Sequence, residues 1–270
     1  MSDLLARESG FLDRDGERLY WESVGSGDAV VLSHGAGGNH AVWFQQVPAF
    51  ARFRRVITWD QRGFGRSTAR GGPTTPALAA ADLVALLDHL GVGSVDLVGQ
   101  SLGGWSVLRA TLDAPARVRR LVLSNTPGGI QTDALSRAWA SIGPRPLADE
   151  GLGRHPALAY AFGARDPAHA YLYQMLGGFG ETDLAQVAPS LMTTVVTRAH
   201  LAGLQCPVLF TTGAHDGLFP PGLIRESAAL VPGARVHAFP DAGHSPYFEQ
   251  PGEWNRVVGA FLDIPIGSSS

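Results

Sequence analysis

The stretch Val95-Asp96-Leu97-Val98-Gly99-Gln100-Ser101-Leu102-Gly103-Gly104-Trp105 decides the fold of this chain. An apolar run ends at a glycine and continues as helix-like sequence, which predicts a strand, a sharp turn and a helix. Glycines two positions before and after Ser101 allow a strained turn, because larger side chains there would collide with the strand or the helix. The helix, predicted over 102–112, would direct free N–H groups and the positive end of its dipole at the serine hydroxyl.

The Gly-x-Ser-x-Gly pattern alone is a weak signal, since the chain has 34 glycines among 270 residues. It becomes informative because a buried-type strand precedes it and a helix with an apolar face follows it. A plain Gly/Ser turn is the alternative interpretation, and the later motifs of the chain argue against it.

Length and composition predict an ordinary globular protein. With 270 residues and 45% hydrophobic content, the chain can form one large α/β domain or a core domain with an inserted subdomain. No apolar run approaches the roughly 18 to 20 residues that span a bilayer. The first residues also lack a basic segment followed by an apolar core, so we expect a cytoplasmic protein without membrane association.

Charge and residue usage exclude several kinds of partner and mechanism. The net charge of −3, without an extended basic cluster, argues against binding to nucleic acid or anionic lipid. The chain contains no lysine, which excludes a Schiff-base lysine, a Ser-Lys dyad and a P-loop lysine. We expect a small-molecule substrate, and either a monomer or a homodimer.

Cysteine and histidine patterns give no sign of a metal site. Cys206 is the single cysteine, so no disulfide can form within the chain, and its place at the head of an apolar strand favours structural burial over a reactive thiol. His-Glu-x-x-His and Cys-x-x-Cys patterns are absent. We therefore expect neither a built-in metal nor a cofactor.

The pattern along the chain predicts a mostly parallel α/β sheet. A β-hairpin is predicted over 8–24, around the turn-forming pair Asp15-Gly16. Strands and helices then alternate, which implies right-handed crossovers between parallel strands. The predicted strands lie at 29–33, 56–59, 95–99, 120–124, 207–213 and 234–239. The predicted helices lie at about 41–51, 75–90, 102–112, 221–231 and 251–262.

The alternation stops after about residue 125. Residues 126–204 contain helix-compatible pieces interrupted by prolines and glycines but no clear buried strand, and the sheet pattern resumes at Pro207. We interpret 126–204 as an inserted helical cap, 1–125 and 205–264 as the core, and 265–270 as a disordered tail.

Four motifs of the chain match one known family. In chain order they are the loop His34-Gly35, the segment Asp60-x-Arg62-Gly63-x-Gly65-x-Ser67, the turn Gly99-x-Ser101-x-Gly103, and the late pair Asp216 and Gly243-His244. The chain resembles the α/β-hydrolase superfamily over about 29–262 apart from the cap. The resemblance implies a mostly parallel eight-stranded sheet with helices on both faces, a helical cap and a serine-dependent hydrolase.

The resemblance and the chemistry together assign roles to three residues. Ser101 is the expected nucleophile, and His244 is the expected base, because a serine hydroxyl attacks poorly unless an imidazole takes its proton. A carboxylate must hold the other ring nitrogen and compensate its charge, and Asp216 is the expected acid. The chain order serine, aspartate, histidine is the order that this fold uses.

Two other aspartates compete with Asp216 for the acid role. Asp241 is three residues from His244, and Asp133 lies in the loop zone after the predicted strand 120–124, where some members of the fold place the acid. Asn125 fills the more direct position there and cannot act as an acid.

The backbone around the serine supplies the expected oxyanion hole. We expect the N–H groups of Leu102, at the helix start, and Ala36, in the glycine loop, to stabilise the developing negative charge. Gly35 or Gly37 could take the place of Ala36.

Several polar residues of the first loops are expected to support this arrangement. His34, Asp60 and Arg62 are more typical of residues that brace the oxyanion loop, by hydrogen bonds and a charge pair, than of reacting groups. The roles of His40 and His215 stay open.

The sequence defines the substrate less well than the reaction. A largely apolar pocket over Ser101 would suit acyl or aryl groups, although the same residues could serve only as core. The candidate pocket residues are Asn39, His40, Trp105, Trp139, Phe162, Phe179, Leu218, Phe219 and Tyr247.

Carboxylesterase-like acyl transfer is the leading function. The turn carries serine rather than aspartate, which argues against the haloalkane dehalogenase and epoxide hydrolase branches of the fold. The same triad could instead cleave a lactone, an enol-lactone or a C–C bond. From other classes, the sequence leaves open a slow-turnover small-molecule receptor and a cofactor-independent oxygenase or lyase, since the fold alone does not determine the activity.

Overall fold

A single sheet of eight strands organises the computed structural model, which describes residues 5–72, 74–141, 151–180, 182 and 184–266. Its strand order is β1-β2-β4-β3-β5-β6-β7-β8. The pairs β1–β2 and β2–β4 are antiparallel and all other neighbours are parallel, which confirms the mostly parallel sheet. The strands are β1 (Arg7–Arg14), β2 (Glu17–Val24), β3 (Ala29–Ser33), β4 (Arg55–Trp59), β5 (Val95–Gln100), β6 (Val118–Ser124), β7 (Val208–Gly213) and β8 (Arg235–Phe239).

The hairpin at the sheet edge is built by its turn. Asp15 and Gly16 have φ values of 52° and 78°. Two consecutive residues with positive φ are what a two-residue type I′ turn requires, and its twist matches that of the strands on either side. The hairpin predicted from the pair Asp15-Gly16 is therefore confirmed.

Helices fill both sides of the sheet and the segment between β6 and β7. In the described residues they are α1 (Val47–Phe50), α2 (Pro76–His89), α3 (Leu102–Asp113), α4 (Asp133–Ser141), α5 (Tyr160–Arg165), α6 (Pro167–Gly177), α7 (Leu184–Thr193), α8 (Arg198–Leu201), α9 (Pro221–Ala229), α10 (Pro246–Glu249) and α11 (Pro251–Phe261). Short 3-10 helices occur at His40–Trp43 and Pro115–Arg117.

The single helix expected over 41–51 is wrong. The chain forms the 3-10 helix His40–Trp43 and then the short α1, with Pro48 in its first turn. Proline has no N–H to bond to the preceding turn, and its ring disfavours helical geometry in the residue before it. One continuous helix through Pro48 is for that reason unfavourable.

Two hydrophobic cores cover the two faces of the sheet. Along β3, Val30 and Leu32 pack in one core and Val31 packs in the other. Neighbouring residues Leu97 and Val98 of β5 divide in the same way. Strands buried on both faces need apolar residues at every position, which is why the predicted strands appear as continuous apolar runs rather than alternating ones.

The segment between β6 and β7 packs over the start of α3. Val187 of α7 forms a small apolar cluster with Leu102 and Phe64. Backbone bonds tie the same region to the loop after β4, since Gly65 N donates to Phe179 O at 2.9 Å and Thr182 N donates to Gly63 O at 3.0 Å. Our division of the chain into core and cap at 126–204 stays a prediction, with α4 to α8 inside it.

Near the C-terminus, Ile266 packs against the core that contains Trp254. The predicted disordered tail at 265–270 otherwise falls on 267–270, outside the described residues. Cys206 is partly buried, and burial raises the pKa of its thiol to about 11, as expected for a structural rather than a reactive cysteine. Within the described ranges, no helix is long and apolar enough to cross a membrane.

Candidate active site

Ser101 occupies the sharp turn between β5 and α3 in a strained conformation. Its φ is 49° and its ψ is −119°, a region that costs a non-glycine residue roughly 1–3 kcal/mol. A Cβ at Gly99 would lie 2.5 Å from the carbonyl oxygen of Gly103, and a Cβ at Gly103 would overlap the carbonyl oxygen of Ser33. The two glycines of the motif are required because the strand, the turn and the helix approach too closely for any side chain.

The loop after β3 lies directly against this turn. A Cβ at Gly35 would lie 3.0 Å from Ser101 Cβ. His34 fixes the loop, because its Nδ1 donates to Gly35 O at 2.8 Å and its Nε2 accepts from Gln61 N at 3.1 Å. Burial lowers the pKa of His34, which keeps the ring neutral, as one donating and one accepting nitrogen require. His34 thus braces the glycine loop as expected.

His244 and Asp216 form a buried pair. His244 Nδ1 lies 2.9 Å from Asp216 Oδ2, and the two residues are 3% and 4% exposed. The backbone N–H groups of Leu218 and Phe219 donate to Asp216 Oδ1, both at 2.9 Å. His244 Nε2 is buried and has no hydrogen-bond partner among the described residues. Gln100, the residue before Ser101, donates through Nε2 to His244 O at 3.1 Å and so ties the histidine loop to the serine turn.

The two competing aspartates lie apart from this pair. Asp241 and Asp133 are both exposed, and neither makes a hydrogen bond to His244 in the described structure. Asp133 instead begins α4. The geometry favours Asp216 as the partner of His244.

Asn125 is a site residue that the sequence did not identify as one. It follows β6 with φ 52°, and its Nδ2 donates to Asp216 Oδ2 at 2.9 Å and to Gly243 O at 3.2 Å. The amide therefore links Asp216 to the residue before His244. Its position after a strand next to β7 was the available signal, because the carboxyl ends of neighbouring parallel strands meet at one edge of the sheet.

Glu249 is a second residue that the sequence missed. Its buried carboxylate accepts from Gly243 N at 2.9 Å, from Ser245 N at 3.1 Å and from Ala159 N at 2.8 Å. Burial raises the pKa of Glu249, and the three N–H groups oppose that effect. The carboxylate holds both residues that flank His244 and attaches them to the segment before α5.

The candidate oxyanion donors lie on the two elements that meet at Ser101. Leu102 is the first residue of α3, so its N–H has no acceptor within the helix. Ala36 packs against the apolar cluster that contains Leu102 and also lines a cavity. Both N–H groups therefore remain candidates for the oxyanion hole.

A cavity of about 210 Å³ lies between the glycine loop and α6. One wall is formed by Gly35, Ala36, Gly37, Gly38, Val42, Gln100 and Tyr247. The opposite wall comes from the segment between β6 and β7, within the predicted cap, and is called the cap-side wall; it is formed by His155, Tyr173, Gln174, Gly177 and Gly178. Of the nine predicted pocket residues only Tyr247 lines this cavity. Gln100 and the glycine loop connect the cavity to the serine turn.

Asn39 and His40 do not line the cavity, because their polar groups form hydrogen bonds to neighbouring backbone and side-chain groups. Asn39 Oδ1 accepts from Ala41 N at 2.9 Å, and its Nδ2 donates to Leu176 O at 2.6 Å. His40 Nδ1 lies 2.8 Å from Asp60 Oδ1. Asparagine at the start of a helix commonly caps it in this way.

Arg62 also differs from expectation in its partner. Its guanidinium pairs with Asp82 of α2, with Nε 2.6 Å from Oδ2, while Asp60 binds His40 and the backbone N–H of Arg66. The charge pair expected in this region thus joins Arg62 to α2. His215 is exposed, and its backbone N–H binds the carbonyl oxygen of Ala242 rather than a side chain of the site.

Three predicted pocket residues, Trp105, Trp139 and Phe219, form an aromatic cluster next to His244. Trp105 lies 6.1 Å from Trp139 and 5.7 Å from Phe219, measured between ring centroids, and Phe219 lies 5.7 Å from His244. Trp105 is completely buried in the core. The cluster supports the histidine rather than the cavity.

The remaining pocket candidates lie elsewhere. Phe162 is buried in the second core, 6.2 Å from Phe248, because α5 turns this side chain toward the sheet. Phe179 is 61% exposed, and only its carbonyl is bonded, to Gly65 N. Leu218 is partly buried and contributes its N–H to Asp216.

Comparison with known proteins gives consistent matches over nearly the whole chain. The model of the family described as "Alpha/beta hydrolase family" matches residues 30–257. RutD of Caulobacter sp. (strain K31), named as a candidate carbamate hydrolase, is 28% identical over 264 residues, which cover 94% of this chain and 98% of the relative.

Two further proteins show similar agreement. The pimeloyl-(acyl-carrier protein) methyl ester esterase of Photobacterium profundum is 31% identical over 258 residues, covering 90% of this chain and 98% of the relative. The crystal structure of the enol-lactonase from Burkholderia xenovorans LB400 superposes with a TM-score of 0.80 at 26% identity, covering 94% of this chain and 100% of that chain.

Proposed function

Since the chain belongs to the alpha/beta hydrolase family, we propose that it hydrolyses a carboxylic ester, or a related acyl bond, of a small and largely apolar substrate. Ser101 is the nucleophile in this proposal, His244 the base and Asp216 the acid. One observation carries the proposal. A serine held at positive φ between two sterically required glycines follows Gln100, whose side chain bonds to His244 O, and His244 forms a buried pair with Asp216 and has no partner at Nε2 in the described structure.

The hydrogen bonds around Asp216 define the proton positions. Its carboxylate accepts from the amide of Asn125 and from two backbone N–H groups, all of which can only donate. As a carboxylate, Asp216 acts as an acceptor toward His244 as well, and Nδ1 of the ring then carries the hydrogen. Nε2 then carries the lone pair that a general base needs.

The reaction follows from that tautomer. Ser101 Oγ attacks the carbonyl carbon while its proton moves to His244 Nε2, and the imidazolium is stabilised by Asp216. The Nε2–H then protonates the leaving oxygen, the C–O bond breaks and an acyl-serine remains. Water repeats the same two steps on the acyl-serine, which releases the acid and restores the hydroxyl.

The developing oxyanion is assigned to the N–H groups of Leu102 and Ala36. Leu102 N–H is unpaired within α3, and the helix dipole adds positive potential at this point. One such donor typically stabilises the transition state by about 3 kcal/mol. The Leu102 donor follows β5 and the Ala36 donor lies in the loop after β3. The geometry of the oxyanion hole therefore depends on the close packing of Gly35 against Ser101.

The names of the relatives support an acyl bond with a heteroatom leaving group. They describe a methyl ester esterase, a candidate carbamate hydrolase and an enol-lactonase. The esterase is more than 30% identical to this chain over most of its length, which favours an open-chain ester. Lactone hydrolysis is the second candidate, supported by the structural similarity to the enol-lactonase.

Labelling with a fluorophosphonate tests the nucleophile. We expect a single covalent adduct on Ser101, lost in Ser101→Ala and retained in Ser227→Ala, which removes a buried serine of α9. Turnover of p-nitrophenyl esters should fall by several powers of ten in Ser101→Ala. Labelling that persists in Ser101→Ala, or a variant that keeps a tenth of wild-type turnover, would contradict the proposal.

A substrate panel tests the bond. It pairs p-nitrophenyl acetate and butyrate with γ-butyrolactone, a longer lactone and an aryl N-methylcarbamate. The proposal expects the highest kcat/KM for the open-chain esters. If one of the lactones has a higher kcat/KM than every ester, lactone hydrolysis replaces ester hydrolysis as the proposed function.

A further inference from the structure

We propose that the cap-side wall of the 210 Å³ cavity is a subsite for an uncharged oxygen-bearing group of the substrate, with the Tyr173 hydroxyl as its direct contact. This inference rests on the proposed function and narrows its substrate class. The preferred esters carry an ether, hydroxyl or carbonyl oxygen a few bonds from the scissile carbonyl.

The cavity lies between residues that adjoin the serine turn and the helix α6. Gly35 and Gln100 lie beside Ser101, and Tyr173 with its helix α6 forms the opposite wall. At about 210 Å³ the cavity is smaller than the roughly 300 to 1,000 Å³ of sites for drug-sized ligands. A substrate whose carbonyl lies at Ser101 therefore reaches the cap-side wall within a few bonds.

The cap-side wall is polar but carries no carboxylate or guanidinium. Its side chains belong to His155, Tyr173 and Gln174. An ionised substrate group would be buried here without a permanently charged partner, since His155 is the only titratable side chain of this wall besides Tyr173, and such burial is unfavourable. The charges of Glu249 and Asp216 reach Tyr173 and contribute to raising its pKa, so an anionic group would also be repelled. A purely alkyl group would remove water from the polar wall and give no hydrogen bond in return.

The Tyr173 hydroxyl is held in one position. It lies 2.8 Å from Ser245 Oγ, and its ring packs edge-on against Phe248 and His155, at centroid distances of 5.0 and 4.9 Å. Burial raises the pKa of Tyr173 to about 12, so the hydroxyl keeps its proton over the whole working range. A phenol offers one donor and two acceptor positions. The hydroxyls of Ser245 and Tyr247 both hydrogen-bond to Tyr173. When they donate to its two acceptor positions, the Tyr173 O–H is left to donate to a substrate oxygen in the cavity.

Fixed placement makes this hydroxyl selective. A group that is already oriented loses little entropy on binding its partner, whereas an alkyl substrate leaves it unsatisfied. We expect a preference of about tenfold in kcat/KM for the oxygen-bearing substrate, the size of one hydrogen bond of ordinary strength.

Two pairs of equal-sized esters test the subsite. On the acyl side, p-nitrophenyl methoxyacetate is compared with p-nitrophenyl butyrate, and on the alcohol side, 2-methoxyethyl acetate with butyl acetate. Each pair differs by one oxygen in place of one methylene. The ratio of the two kcat/KM values is measured for the wild type, for Tyr173→Phe and for Tyr171→Phe, a phenol on the same helix that is 48% exposed.

The comparison between variants cancels the intrinsic reactivity of each ester. We expect the ether-to-alkyl ratio of at least one pair to fall about tenfold in Tyr173→Phe and to stay at the wild-type value in Tyr171→Phe. An unchanged ratio in Tyr173→Phe for both pairs would overturn the inference. If Tyr173→Phe does not fold, the wild-type enzyme alone provides the test. Its ether-to-alkyl ratio of kcat/KM is divided by the ether-to-alkyl ratio of the rates of hydroxide-catalysed hydrolysis, and a quotient near one for both pairs overturns the inference.

The outcome also separates this inference from the proposed function. If the ratios do not respond but Ser101 is labelled by the fluorophosphonate and acetate esters turn over, only the subsite fails. If no ester turns over and Ser101 is not labelled, the proposed function fails and the subsite with it.

Discussion

Asn125 Nδ2 donates to Asp216 Oδ2 at 2.9 Å, the same oxygen that lies 2.9 Å from His244 Nδ1. The same Nδ2 lies 3.2 Å from the carbonyl oxygen of Gly243. A side chain at the end of β6 therefore fixes the acid and the histidine loop relative to each other. Such a contact affects the reaction through the orientation of His244 rather than through contact with the substrate.

Replacement of this amide should lower turnover without unfolding the protein. In Asn125→Ala we expect kcat to fall about tenfold, because Asp216 loses a donor and the imidazole loses part of its orientation. Asn255→Ala is the matched control, since Asn255 is also buried and hydrogen-bonded, to Gln45 and Gln46, outside the site. Both variants should be less stable, but only the first should lose kcat at a temperature well below Tm. Equal loss of kcat in the two would contradict a positioning role.

Glu249 should be required as a carboxylate. In Glu249→Gln an amide –NH₂ would face backbone N–H groups of Gly243, Ser245 or Ala159, where only an acceptor can bind. We expect a lower Tm and a lower kcat, with Glu253→Gln on the neighbouring helix as control because that side chain is partly exposed. Steady-state kinetics and thermal unfolding of both variants measure the difference. A Gln variant with wild-type kcat would show that the histidine loop does not depend on Glu249.

The raised pKa of Glu249 also gives stability a pH dependence of defined sign. Burial raises this pKa above the ordinary carboxyl value, so the folded state holds the proton more tightly than the unfolded state. Between the two pKa values the folded state binds more protons, and the free energy of unfolding falls as the pH rises through that window. Urea unfolding from about pH 4 to pH 7 should show the wild type losing stability relative to Glu249→Gln as the pH rises. A pH-independent difference would exclude this linkage.

The strain at Ser101 should appear as a stability difference between two inactive variants. Glycine tolerates φ 49° without a Cβ penalty, so Ser101→Gly should be about 1 kcal/mol more stable than Ser101→Ala. At Ser106, inside α3, the order should be reversed, because glycine in a helix interior costs about 1 kcal/mol relative to alanine. Urea unfolding of the four variants measures both differences. The same order at both positions would argue against strain at Ser101.

The close approach at Gly103 should tolerate no side chain. In Gly103→Ala the new Cβ would overlap Ser33 O, and the required backbone shift should cost about 1–3 kcal/mol and displace the serine turn. Gly222→Ala in α9 is the control, since nothing lies within 4 Å of its added Cβ. That variant should be as stable as the wild type or slightly more stable. An active and fully stable Gly103→Ala would show that the turn can relax.

Alanine substitutions of the aromatic residues predicted for the pocket should have different effects, because these residues lie in different parts of the structure. Trp139 contacts Phe219, which contacts His244, and neither aromatic ring lines the cavity, so Trp139→Ala should lower kcat for acetate, butyrate and octanoate esters alike. Phe162→Ala should mainly lower Tm, by the loss of about 3–5 kcal/mol of core packing. Phe179→Ala should leave both kcat and Tm at their wild-type values, because the Phe179 side chain is exposed. An equal fall of kcat in Phe162→Ala and Trp139→Ala would contradict this division.

The sequence by itself determined the local conformations and their order. The pair Asp15-Gly16 required a tight hairpin, and Gly99 and Gly103 required a turn too crowded for side chains, because these constraints act between residues close in the chain. Continuous apolar runs predicted strands covered on both faces, as β3 and β5 are. These features identified the fold and the residues around which a site could form.

Only the tertiary structure decided which polar groups meet. Asn125 and Asp216 are 91 residues apart, and Ala159 and Glu249 are 90 apart, so no local pattern could pair them. Asp241, closer to His244 in sequence than Asp216, lies exposed on the surface.

The wall of the cavity was decided in the same way. Phe162 turned out to face the core, while Tyr173 lines the cavity, although both belong to the helical segment between β6 and β7. The direction in which such a helix faces depends on packing against distant strands, and a short helix with apolar residues on more than one side does not specify it. The conformation of the turn is therefore encoded locally, whereas the contacts around His244 and along the cavity wall arise from packing between elements that are distant in the chain.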